Sequence, residues 1–69
     1  MRDPQRLYAQ YGDIRDYHRL YCPELRIGQL FDNYRQWLAD KYQIDMFYIE
    51  DHLFVKYLDE YITSLKTVN

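Results

Sequence analysis

Apolar residues recur at helical spacing in three stretches of the chain. In the first, Leu7, Tyr11, Ile14, His18 and Tyr21 are spaced by four, three, four and three, which places them on one helix face. Asp3-Pro4 makes a natural entrance. The Asp3 carboxylate caps free N–H groups, and proline suits the first helical position because its missing N–H is not needed there. Gly12 is a weak point, since glycine inside a helix costs about 1 kcal/mol relative to alanine, and Asp13 is placed to cap a restarted helix. One continuous helix is the favoured reading. Cys22-Pro23 ends it, because the residue before a proline is pushed out of helical geometry.

The second stretch carries the strongest periodicity, with Ile27, Leu30, Phe31, Tyr34, Trp37 and Leu38 on one face. Glu24 is expected in its first turn, facing the positive end of the helix dipole, and Asp32 with Arg35 forms a weak i,i+3 pair. Gly28 marks either the close approach of another backbone or a tolerated defect. Residues 41–49 form the main connection, where Asp45 is placed to cap a single turn of Met46-Phe47-Tyr48. The run from Met46 to Ile49 also suits a short strand, but no partner strand is in sight, so the turn is preferred. Glu50-Asp51 then opens a third helix, with Phe54, Tyr57, Leu58, Tyr61, Ile62 and Leu65 inward and Lys66 near the negative pole. The pattern predicts an all-α, compact three-helix bundle with helices over about 4–21, 24–41 and 51–66, antiparallel neighbours, and a single helical domain over 1–69.

Nine of the 69 residues are tyrosine. The helix seams assign Tyr11, Tyr21, Tyr34, Tyr57 and Tyr61 mainly to the core, beside Trp37, Phe31 and Phe54. Tyr8 and Tyr48 lie off the seams, and Tyr17 and Tyr42 fit either place. Exposed tyrosines are good contact anchors, because they carry much area on few rotatable bonds. A chain this short buries only roughly 60% of the surface its unfolded form exposes, so its stability is marginal. One cysteine, Cys22, allows no internal disulfide and fits a reducing compartment. The opening Met1-Arg2-Asp3-Pro4 has no apolar signal-peptide region, and no apolar run approaches the ~18 residues of a membrane span. The expectation is a cytoplasmic protein without membrane attachment.

The net charge of −2 is unevenly placed. All six arginines lie before residue 40, where the net is +1, and all three lysines lie after it, where the net is −3. A nucleic-acid binder normally shows a clear positive excess on one face. Arg2 with Arg6, and Arg15 with Arg19, are spaced to form a ridge interleaved with Tyr8 and Tyr17, but Asp3, Asp13 and Asp16 dilute it. Arginine with aromatic residues suits a protein interface as well as a nucleic acid.

Chemistry-bearing residues are few. His18, Cys22 and His52 are the candidate metal ligands, but Pro23 distorts the end of the helix that His18 and Cys22 share, and no metal or other cofactor is expected. Cys22 as a nucleophile would sit at a helix C-terminus, where the dipole disfavours a thiolate. Glu50-Asp51 and Asp59-Glu60 are adjacent pairs that point about 100° apart on a helix, so they do not converge as acid and base. No catalytic residue is expected.

Arg26-Ile27-Gly28-Gln29-Leu30 and Phe47-Tyr48-Ile49-Glu50-Asp51 resemble segments of small, uncharacterised proteins of bacteria and their phages. Those show an Arg-x-Gly-Gln-Leu segment, a short spacer, and Phe-Tyr-x-Glu-Asp before a last helix, and often a similar Met-Arg-Asp-Pro opening. The similarity spans most of the chain, which departs from the pattern in its long spacer and its many tyrosines. It implies a prokaryotic or phage setting and carries no activity and no catalytic residues. The leading expectation is therefore a non-enzymatic protein-interaction module, a phage- or mobile-element-encoded regulator or inhibitor of a host protein. Its partner would be that protein or a second copy, as in a homodimer, with Tyr8, Arg19, Trp37 and Tyr48 as contact residues. The alternative is a nucleic-acid-associated small regulator with helix two or three as reader.

Overall fold

The structure is a computed structural model that describes residues 2–66; Met1 and residues 67–69, the two ends of the expected domain, lie outside the described residues. Three helices make an all-α bundle: α1 (Arg6–Tyr21), α2 (Ile27–Tyr42) and α3 (Asp51–Lys66). No strand occurs among the described residues.

α1 is continuous through Gly12. Its entrance is a turn rather than helix, two residues shorter than the expected start at 4. Asp3 Oδ1 accepts the Gln5 N–H at 2.9 Å, and the Arg6 N–H bonds back to the Asp3 carbonyl at 3.2 Å. α2 starts three residues later than expected. Leu25 N–H closes a turn onto the Cys22 carbonyl, leaving Glu24 outside the helix, and the Arg26 N–H is capped by Gln29 Oε1 at 2.8 Å. The Asp45 turn forms as read from the sequence: its Oδ1 accepts from Phe47 N–H at 2.9 Å and its carbonyl from Tyr48 N–H at 3.0 Å. α3 occupies the expected span.

α1 and α3 run parallel, side by side. Arg6 pairs with Asp51 at 2.9 Å at one end, and the Lys66 ammonium lies 4.2 Å from the Tyr21 ring centroid at the other, both with the same sequence offset. α2 crosses α3 obliquely: Phe31 and Tyr34 meet Phe54, Tyr34 and Trp37 meet Tyr61, and Tyr42 meets Tyr57. This parallel pair is the first and third helices, which a bundle with antiparallel sequence neighbours also sets side by side in the same direction. The buried core is small, made of Cys22, Leu30, Tyr34, Leu38, Leu58, Tyr61 and Ile62. Tyr34 is fully enclosed, and its hydroxyl donates to the Phe54 carbonyl at 2.6 Å, which satisfies the one polar atom the ring carries inside.

Burial, then the charge of Glu60, pushes the Tyr34 phenol well above its ordinary range; burial likewise raises Tyr61 and Tyr17. A pKa raised in the fold adds stability that is complete below the unfolded-state value near 10 and is lost as pH rises past it. Alkaline unfolding followed by circular dichroism should therefore set in above about pH 10. Tyr34→Phe should flatten that limb while lowering neutral-pH stability by about 1 kcal/mol for the lost hydrogen bond.

Two local defects are open to repair. A methyl at Gly12 would meet nothing nearer than an Arg15 side-chain nitrogen at 3.8 Å, so Gly12→Ala should add about 1 kcal/mol. Gln43 closes α2 in the left-handed region, φ 54° and ψ 37°, with its N–H on the Ala39 carbonyl. Glycine bears that conformation without Cβ strain, so Gln43→Gly should add about 0.5–1 kcal/mol. Urea midpoints rising at unchanged slope would show both gains. Gly28 marks no close approach, since a methyl there would meet nothing within 4 Å; it is a tolerated defect.

A candidate protein-binding groove between α1 and α2

α1 has no buried residue. Its seam is rotated from the one the periodicity suggests: Tyr17 turns toward the core with Ile14, while Tyr11 stands 65% exposed and Tyr21 47% exposed. Both were assigned mainly to the core by spacing. The physical reason is that α1 meets α3 and hardly meets α2, so only one flank of its apolar arc is covered. Tyr57 is half-buried, and Tyr34 and Tyr61 are buried as expected.

The uncovered flank lines a groove. Leu7, Tyr11 and Ile14 form the α1 wall, Phe31 the α2 wall, and Phe54 and Val55 of α3 the floor, around an opening of about 270 Å³. It continues toward the far end of α1 past Ile27, Pro23 and His18, with Arg15 and Arg19 on its rim. Ile27 is 65% exposed. Two of the polar groups at the margins are already engaged. Asp51 is held by Arg6, and the His18 Nε2–H donates to the Leu25 carbonyl at 2.6 Å, which ties the α1–α2 turn back onto α1. Shape and apolar lining suit a side chain better than a reaction.

The four contact residues expected from the sequence do not make one patch. Tyr8 is 79% exposed on the outer side of α1, next to Leu7 and Tyr11 along a shallow depression. Arg19 is exposed eleven residues further on, about 16 Å along the axis, and shares Asp16 with Arg15. Trp37 is half-buried among Tyr34, Tyr42 and Tyr61, with Lys41 over its ring. It lies six residues from Phe31, hence about 120° around α2 from the groove. Tyr48 is 78% exposed and packs edge-on against Phe47, itself 84% exposed, on the turn before α3. Sequence reading missed Tyr11, Ile27 and Phe47 as exposed residues, because a period reports a face and not whether anything covers it.

On the flank opposite the groove, Lys41 donates to Glu60 at 3.0 Å and the Tyr42 hydroxyl donates to the same carboxylate. The tyrosine bond first, and the lysine second, hold the Glu60 carboxyl below the usual range. Burial, reinforced by Glu24, pushes the Cys22 thiol up, so it stays protonated at neutral pH. Among the described residues no three of His, Cys, Asp and Glu are grouped to hold a metal ion, and no helix is long and apolar enough to cross a membrane. Comparison with protein-family models, curated proteins and solved structures gives no match.

Proposed function

We propose that this chain is a non-enzymatic protein-interaction module whose α1–α2 groove receives an apolar segment of a protein partner. One observation carries the reading: the groove leaves Tyr11 and Ile27 each 65% exposed beside an apolar floor, while the enclosed core among the described residues is only seven residues. Contiguous apolar surface of this kind is costly in water and is the usual mark of a contact site. The mostly apolar lining, with Asp51 and His18 at its margins already held by Arg6 and the Leu25 carbonyl, supports a binding role over a catalytic one. A protein partner is favoured over a nucleic acid because five of the six arginines are already ion-paired: Arg2 with Glu50, Arg6 with Asp51, Arg15 and Arg19 with Asp16, and Arg35 with Asp32. A role as a phage- or mobile-element-encoded regulator or inhibitor of a host protein rests on the resemblance at Arg26–Leu30 and Phe47–Asp51, and a cytoplasmic setting on the single cysteine, which fits a reducing compartment.

The test is selection from a displayed random-peptide library against the wild-type chain. Peptides with apolar anchors should be enriched, and their affinity should fall at least ~100-fold against Ile27→Asp. Failure to enrich, or affinity indifferent to Ile27→Asp, would defeat the reading.

A further inference from the structure

The chain displays an aromatic knob as well as a groove. Phe47 and Tyr48 cross edge-on, with centroids 4.9 Å apart, yet stay 84% and 78% exposed. Asp45 closes their turn by accepting from the Phe47 N–H on its side chain and from the Tyr48 N–H on its carbonyl, which lowers the ordering cost of presenting two large rings to a partner. The turn lies three residues before Asp51, which lines the groove mouth, so knob and groove are neighbours on the surface.

We propose that the groove is filled by the Phe47–Tyr48 knob of a second copy, reciprocally, in a two-fold dimer. This rests on the groove being a protein-binding site and names its occupant. Area favours the reciprocal form. Two rings bury about 300–500 Å² and cover a similar area of groove. One such contact falls below the roughly 1,200–2,000 Å² of a stable interface, whereas two reach it. Adjacent knob and groove let both contacts lie on one surface, as a self-complementary interface requires.

Sedimentation equilibrium over a concentration series tests this on the full chain. The wild type should dimerise in the micromolar range. Phe47→Ser/Tyr48→Ser and, separately, Ile27→Asp should each weaken the dimer at least ~100-fold with unchanged helical circular dichroism. Equimolar mixing of the two variants should restore association of intermediate strength, because one knob and one groove remain intact across the pair. A wild type that stays monomeric to millimolar concentration, a dimer indifferent to either variant, or a mixture no stronger than its components would overturn the proposal. A monomeric wild type that still binds selected peptides in an Ile27-dependent way would overturn the dimer and leave the groove reading standing.

Discussion

Tyr34→Ala is expected to leave much of the protein unfolded at 25 °C, while Tyr11→Ala should change its stability by less than about 1 kcal/mol. The two side chains are the same, and only their surroundings differ. Tyr34 is fully enclosed, with Phe54, Tyr61 and Trp37 at ring-centroid distances of 5.1, 5.7 and 6.1 Å and its hydroxyl on the Phe54 carbonyl. Removing a buried aromatic ring costs about 3–5 kcal/mol through lost transfer energy and the cavity left behind. A chain of this size has a total stability of only about 3–10 kcal/mol. Tyr11 is two-thirds exposed and borders open space on its groove side, so its loss leaves no cavity. Urea unfolding read by circular dichroism, and by the fluorescence of the single tryptophan, Trp37, would separate the two. Equal losses would mean that α1 packs more closely on α2 than the structure has it.

Ile27→Asp is expected to abolish partner binding, by about 100-fold or more, without lowering the stability of the free protein. Ile27 is the first residue of α2, and that first turn holds no acidic residue. A carboxylate there faces the positive end of the helix dipole and contributes about 0.3–1 kcal/mol in the free state. In the complex the same carboxylate would be stripped of water against apolar groups, which costs several kcal/mol. Ile27→Ala should give a smaller loss, about tenfold, for removed area alone. Peptide affinity and thermal unfolding measured on the same samples decide it. An affinity loss that tracks a fall in unfolding temperature would point to damage to the fold rather than to the groove.

Much of this fold was legible before any coordinates. Helix existence followed from the 3.6-residue period, and α3 was placed to the residue because Glu50-Asp51 and Lys66 suit its two poles. The Asp45 turn was legible because an aspartate side chain bonds the backbone two residues on, a wholly local event. The start of α2 was misread by three residues. Pro23-Glu24 looks like a helix opening, but the turn from Cys22 to Leu25, secured by His18 reaching across to the Leu25 carbonyl, delays it until Arg26. That contact spans seven residues, and no local rule anticipates it.

The tyrosines divide sequence from tertiary structure most sharply. Local spacing determined which rings share a helix face, and so it found Tyr34 and Tyr61 for the core and left Tyr8 and Tyr48 outside. It could not determine how far each helix is rolled about its own axis, or which neighbours cover it. Those follow from the parallel packing of α1 on α3 and the oblique crossing of α2, which bring Tyr17 in, leave Tyr11 out, hold Trp37 in the cluster on the far flank, and open the groove. The side-chain period of a helix is set by backbone hydrogen bonding within a few residues. Its orientation is set by the summed burial of all three helices against one another, and that sum exists only once the chain has folded.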